Sequence, residues 1–261
     1  MNLQELYRAL CARFPEEDRA SFDLDGLQLA PDLSREVKTV LTALDVTRES
    51  VAAAKEIGAD LLLTHHPILF SGVRTLDPTS SMDAENATAL LTGGIAHISL
   101  HTRFDAGKGG INDTLARKLG LTDICVFGTE EDPALGRRGV LKEPMSSEDF
   151  ARFVADTLGT HVLLTKGRDT VETVAVVGGA AGDFLDAFTQ TNLDALVTGE
   201  VAHHRRLLAS HAHKTLLEAS HYGSEILFCE AIQTVLGELP LSAKIVPFIN
   251  TPHEICISTS N

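Results

Sequence analysis

His65 and His66 stand side by side after Leu61-Leu62-Leu63-Thr64 and before Pro67. Three leucines in a row suit a short strand buried on both faces, and the proline ends the ladder by removing a donor. The histidine pair therefore leaves the C-terminal end of a strand, where open α/β sheets keep their sites. On an extended segment neighbouring side chains point opposite ways. The two imidazoles are thus expected to serve two ions, one each, rather than one ion together. Taken alone, the pair is explained as well by a polar turn that happens to hold two imidazoles.

Other parts of the chain supply further donors. Asp105 follows a second strand, and His221 and Glu225 sit four residues apart, so one helical turn puts them on the same face. If the elements that carry them face a shared cleft, His65, His66, Asp105, His221 and Glu225 meet there. Three imidazoles and two carboxylates are a mixed nitrogen and oxygen set. It suits two divalent ions per chain (zinc, manganese, iron or nickel) rather than a calcium cage. A carboxylate between two ions offsets their mutual repulsion, which is why such a site needs acids as well as histidines. The His-x-x-x-Glu spacing by itself fits a solvated surface helix. Helical spacing would also bring Glu200 and His204 to one face at the rim of the cleft. His101 or His204 would then move protons or orient a phosphoryl or amidine group. His211 and His213 read as solvated surface.

The elements that must position these groups can be read in order. Leu3, Leu6, Leu10 and Phe14 recur at helical spacing, so residues 2–14 form an amphipathic helix ended near Pro15. Val37–Asp45 reads as a strand, and Thr47–Ile57 as a helix capped by Thr47 or Asp45 and closed by Gly58. Leu61–Thr64 completes a βαβ unit. After a polar loop over 71–82, Ala84–Leu91 is helical, Ile95–Leu100 is a strand, and Asn112–Leu119 is helical again. Residues 127–145 contain Gly128, Pro133, Gly136, Gly139 and Pro144 and read as a join. Ser146 through Asp149 then caps the helical run Phe150, Phe153, Val154, Leu158.

The second half of the chain echoes the first. A shift of 134 positions lays Val37-Lys38-Thr39-Val40 over Val171-Glu172-Thr173-Val174, and matches Ala53 to Ala187, Asp60 to Asp194, Leu62 to Leu196 and Thr64 to Thr198. Each half also offers a strand followed by histidine and, four residues on, an acid: His101 to Asp105, and His221 to Glu225. The expected fold is α/β: two related halves with mixed sheets flanked by helices and a metal cleft between them. Residues 1–126 form the first half, 127–145 the join and 146–261 the second half. Gly178-Gly179-Ala180-Ala181-Gly182 after the strand Val174–Val177 matches neither phosphate-loop pattern and reads as a tight turn.

Composition narrows the function classes. A net charge of −14, from 36 acidic against 22 basic residues, removes the general basic footprint of a nucleic-acid partner. No apolar run approaches the roughly 20 residues that span a bilayer, and the N-terminal stretch has no signal-peptide layout. Cys11, Cys125, Cys229 and Cys256 are scattered without a CxxC pair, which suits reduced thiols and a cytoplasmic location.

The ordered motifs together resemble the NIF-three-like family, known also as GTP cyclohydrolase I type two homologues. The landmarks are Asp23-Leu24-Asp25-Gly26-Leu27-Gln28, Leu63 to Pro67, His101-Thr102-Arg103-Phe104-Asp105, Val177-Gly178-Gly179-Ala180, Thr198-Gly199-Glu200 through His203-His204, and Ser220 to Glu225. The resemblance covers nearly the whole chain. It implies two related α/β halves around a dinuclear metal centre, a ring-shaped homohexamer, and metal ligands at His65, His66, Asp105, His221 and Glu225. Two departures stand out. Arg103-Phe104 replaces the family's Asn and Leu, and Phe22-Asp23-Leu24-Asp25-Gly26-Leu27 replaces Trp-Asp-Asn-x-Gly-Leu; both are expected to alter what enters the cleft. The function expected is a metal-dependent hydrolase of small molecules such as nucleotides, phosphoesters or cyclic amidines. The alternative is a metal-carrying or regulatory interaction protein without turnover.

Overall fold

The computed structural model describes residues 1–250 apart from Gly72 and Arg74, two positions of the polar loop. Cys256 lies outside the described residues. Chain contacts divide it into two compact units, residues 1–111 with 226–250, and residues 112–225.

The first unit is built on a five-stranded sheet. Its strands are β1 (Gly26–Leu29), β2 (Thr39–Ala43), β3 (Leu61–Thr64), β4 (Ala96–Ser99) and β11 (Lys244–Pro247), in the order β1-β4-β3-β2-β11. β1 runs antiparallel to β4 and the other pairs are parallel. All four residues of β3 are buried, as the leucine run required. Alternation sends Leu61 and Leu63 to one face and Leu62 to the other. On the first face they join Leu3, Leu6 and Leu10 of α1 (Leu3–Arg13) and Phe228, Ile232 and Val235 of α10 (Phe228–Glu238). On the second, Leu62 joins Val51 and Ala54 of α2 (Arg48–Glu56) and Ala87 and Leu90 of α3 (Met82–Thr92). The cap of α2 falls at Thr47, one of the two residues the sequence offered. Asn2 forms a reciprocal capping box with Glu5, and Thr47 one with Ser50. Gly58 takes φ +64 just past α2. The short α4 (Thr102–Ala106) leaves the end of β4.

The second unit is built on a six-stranded sheet in the order β5-β6-β8-β9-β10-β7. Its strands are β5 (Thr122–Phe127), β6 (Gly136–Ser146), β7 (Leu163–Thr165), β8 (Thr170–Ala180), β9 (Ala195–Glu200) and β10 (Thr215–Glu218). The helices are α5 (Ile111–Lys118), which begins at the boundary, then α6 (Ser147–Leu158), α7 (Phe184–Thr189), α8 (His203–His211) and α9 (His221–Glu225). Phe184, Leu185 and Phe188 of α7 and Ala209 of α8 pack on Ala175, Val177, Leu196 and Leu216.

The 134-residue echo is a structural repeat. Val40 pairs with Leu61 across β2 and β3, and Val174 with Ala195 across β8 and β9. Asp60 Oδ2 accepts the backbone N–H groups of Lys38 and Thr39 at 2.8 and 3.0 Å. Asp194 Oδ2 accepts those of Glu172 and Thr173 at 3.2 and 2.9 Å. Beyond these strands the echo slips. The Leu100 N–H bonds Thr64 O and the Ala219 N–H bonds Thr198 O, so the next strand is related by 119 positions, not 120. His101 is therefore matched in backbone position by Ser220, and His221 by Thr102. The two histidine-to-acid motifs are one residue out of register: His101 is the N-cap of α4, whereas His221 is the first residue of α9.

Two segments differ from expectation. The second part of the expected join, Gly136–Ser146, is an eleven-residue strand between β5 and β8. Its glycines are there because neighbours crowd them: a Cβ at Gly139 would come within 2.7 Å of Thr122 O. Residues 226–250, expected in the second half, pack with the first unit, where β11 extends the sheet parallel to β2.

Candidate metal centre

The strand β3 ends at Thr64, and residues 65 and 66 lie in a bend. The rule that neighbours on a strand point apart therefore does not govern the two histidines. Their ring centroids are 4.9 Å apart. His101, at the end of the adjacent parallel strand, places its ring 5.0 Å from that of His65 and 5.5 Å from that of His66. One ligand atom from each of the three lies within 4.8 Å of the other two.

Two of these rings are held at Nδ1 by different acceptors. His65, fully buried, has Nδ1 2.9 Å from Leu100 O. His66 has Nδ1 2.7 Å from Asp45 Oδ1. His101 has Nδ1 3.0 Å from Asp23 Oδ2. A carbonyl or carboxylate oxygen can only accept, so in the neutral rings of His65 and His66 the proton sits on Nδ1 and the lone pair on Nε2. Two such lone pairs with a third imidazole in the same neighbourhood fit a borderline divalent ion. Asp105 adds an oxygen donor, with Oδ2 3.8 Å from His65 Nε2. It is carried on α4, whose N–H at Thr102 is capped by Asp23 Oδ2 at 3.0 Å.

Asp23 is buried, and burial alone would push its carboxyl up. The imidazole of His101 and the Thr102 hydroxyl and N–H more than offset this and hold it well below the usual carboxylate range. Asp25, two residues on, accepts the His101 N–H at 2.9 Å and Arg103 Nε at 2.9 Å. Burial pushes the Asp25 carboxyl up while Arg103 pulls it back. Arg103 is buried too and also reaches Phe14 O at 3.3 Å. Arg103, one of the departures from the family pattern, is thus joined to Asp25 inside the first unit. Asp25 in turn supports the backbone of His101.

In the second unit, His221 Nε2 lies 2.9 Å from Glu225 Oε2 and its Nδ1 3.0 Å from Glu200 Oε1. The expected helical turn is present as α9, and Glu225 is buried in it. Gly179 makes room for the pair. It sits at φ +64 in an irregular stretch of β8, and a Cβ there would come within 2.1 Å of Glu225 Oε1. Ser224 Oγ accepts the Gly179 N–H at 3.0 Å, and the Thr198 hydroxyl donates to Gly179 O at 3.0 Å. Reading this glycine-rich stretch as a tight turn misses that role.

Glu200 and His204 do not share a helical face. Glu200 ends β9, and His204 is exposed on α8. Among the described residues no group of three candidate ligands includes His204. His211 and His213 are exposed, as expected. The sequence offered Asp45 only as a possible helix cap and Asp23 only within a family landmark, neither as part of the site. Asp45 had one signal, its place just past the strand that pairs with β3.

Residues 1–252 match the family described as Duf34/NIF3 (NGG1p interacting factor 3). A "GTP cyclohydrolase 1 type 2 homolog" of Streptomyces coelicolor is 33% identical over 248 residues, covering 91% of this chain and 86% of the relative. The protein of the same name from Clostridium perfringens is 28% identical over 230 residues, covering 86% of this chain and 87% of that one. The crystal structure of the Staphylococcus aureus hypothetical protein SA1388 superposes with a TM-score of 0.89 at 24% identity, over 98% of this chain and 99% of that one. The fold is shared with that structure, and the chain belongs to the Duf34/NIF3 family.

Proposed function

We propose that the protein is a dinuclear metal-dependent hydrolase acting on a small polar molecule, with a nucleotide, phosphoester or cyclic amidine as the substrate class. The observation that carries this reading is the convergence of three imidazoles, two of them with Nδ1 already committed to an acceptor. A structural histidine needs no such arrangement, whereas a metal-binding one needs its second nitrogen fixed. In this reading His65, His66 and Asp105 act with His221 and Glu225 of the second unit to hold two divalent ions. Ions held there would supply Lewis-acid polarisation and a water acidic enough to attack at neutral pH.

The chain's own residues do the rest. His65 is held without freedom by its burial and by Leu100 O. Asp45 and Glu200 hold the rings of His66 and His221 from their solvent sides. Glu225, seated in the space Gly179 leaves, keeps one carboxylate oxygen against His221. Rings and carboxylates fixed in this way lose little freedom when they bind, which is what a preorganised site requires. Assembly as a homohexamer belongs to the same proposal and is checked by light scattering.

The test is a panel of nucleotides, phosphoesters and cyclic amidines with manganese or zinc present. Turnover above that of His65→Ala supports the reading. No such turnover, together with a partner captured reproducibly only by metal-loaded protein, would replace it with a metal-carrying interaction protein.

A further inference from the structure

We propose that the buried pair His97 and Thr64 positions His66, by fixing the chain between the end of β3 and Pro67. The proposal rests on the reading of His66 as a metal ligand, and it adds to that reading two residues outside the ligand set.

The direction of the network follows from its donors. The Thr64 hydroxyl donates to His66 O at 2.6 Å, since a carbonyl can only accept. With that proton committed, the imidazole is the donor in the 2.8 Å contact between His97 Nε2 and Thr64 Oγ1. His97 therefore carries its proton on Nε2. Its Nδ1 is fully buried, with no hydrogen-bond partner among the described residues. The His66 N–H donates to Leu44 O at 3.0 Å. Both backbone groups of His66 are thus tied, one to the residue just past β2 and the other through Thr64 to β4.

Burying an imidazole with one nitrogen unmatched costs stability, and the duplicated fold does not require it. His97 pairs with Leu62 across β4 and β3, and Leu216 pairs with Leu196 across β10 and β9. Leu62 and Leu196 correspond in the repeat, so the second unit has a buried core leucine where the first has His97. Thr198, the counterpart of Thr64, sends its hydroxyl to Gly179 O on the neighbouring strand rather than along its own chain. The turn beyond Thr64 carries His65 and His66, whereas the one beyond Thr198 carries Gly199 and Glu200. The imidazole and the redirected hydroxyl occur together, in the unit whose turn bears the two histidines.

The test uses full-length protein stripped with chelator, melted by calorimetry, and titrated with Zn²⁺ in competition with a chromophoric indicator. The variants are His97→Leu, His97→Gln, Thr64→Val, Thr64→Ser and His65→Ala. His97→Leu installs the residue of the second unit, so without metal it should melt at or above the parent. It should nevertheless bind the tightest ion about 10-fold or more weakly, as expected on losing an outer partner of a ligand. His97→Gln keeps a donor for Thr64 and Thr64→Ser keeps the hydroxyl, so both should stay within about threefold of the parent. Thr64→Val should match His97→Leu. Combining the two should lose no more affinity than either alone, because they interrupt one chain of hydrogen bonds.

Parent-like affinity in His97→Leu, with loss in His65→Ala, would overturn this proposal and leave the metal site standing. Parent-like affinity in His65→Ala as well would remove both. A metal-free His97→Leu that melts below the parent, or a His97→Gln as weak as His97→Leu, would make His97 a packing residue and overturn its positioning role.

Discussion

Removing the charge of Arg103 should destabilise the protein sharply, and removing Asp25 at the same time should restore much of the loss. Both side chains are fully buried in an ion pair with Nε 2.9 Å from Oδ2. The guanidinium is held protonated against its burial by Asp25 and by Tyr7 and Cys11 beside it. In Arg103→Met the Asp25 carboxylate stays buried and keeps only the longer contact, 3.5 Å, to the partly exposed Arg19. In Asp25→Asn the guanidinium stays buried without its partner. Breaking one side of a buried pair costs about 3–5 kcal/mol. For a chain of this size each kcal/mol is about 2–4 °C in melting temperature. Each single variant should therefore melt roughly 6–20 °C below the parent. The double variant leaves no unpaired charge and keeps the Asn oxygen for the His101 N–H, so it should recover at least about half of that loss. Scanning calorimetry on the four proteins reads the cycle directly. A drop below about 3 °C in Arg103→Met, or simple additivity in the double variant, would show that Arg103 is not the interior partner of Asp25.

Three other outcomes are expected. Asp60→Ala and Asp194→Ala should cost similar amounts, about 1.5–3 kcal/mol each by urea denaturation, because each carboxylate ties two N–H groups at equivalent positions of the repeat; costs differing more than about threefold would argue against equivalence. Burial pushes the His97 imidazole down to about 3, below the roughly 6.5 of an unfolded histidine, so the unfolded chain takes up that proton first. The stability this leaves is full above pH about 6.5 and falls by about 1.4 kcal/mol per unit between about 6.5 and 3; His97→Asn should flatten the acid limb by about that slope, and an unchanged slope in acid titration would contradict the assignment. Gly179→Ala should lower metal content, because its Cβ meets Glu225 Oε1 at 2.1 Å, whereas Gly182→Ala, with nothing within 4 Å, should retain it. Elemental analysis separates the two.

The parts of the fold that the sequence disclosed are those whose signal is local. The leucine run of β3, the caps at Thr47 and Ser146, and the 134-residue echo are written in neighbouring residues, and the structure carries each of them. Asp60 and Asp194 were visible as a match, though not as locks on the strands they face. The features that escaped depend on partners far along the chain. Asp25 and Arg103 are 78 positions apart, and Asp23 and Thr102 are 79. No spacing rule connects them, since a sheet edge brings them together. β6 was hidden because glycines that let strands approach read as loop residues. His65 and His66 were expected to diverge because strand alternation was carried two residues past the strand's end. For the same reason the histidine-to-acid motifs looked like one repeat, although the backbone relates them with a slip of one position.

Metal content per chain tests the central claim most directly. Protein purified without chelator and loaded with manganese or zinc should carry close to two ions. Asp105→Ala from the first unit, and His221→Ala or Glu225→Ala from the second, should each reduce this towards one or none and abolish the metal-linked rise in melting temperature. His211→Ala and His213→Ala, exposed on or just after α8, should keep the full complement. Ligand variants that retain two ions, or exposed-histidine variants that lose metal to the same extent, would contradict a dinuclear centre built from these residues.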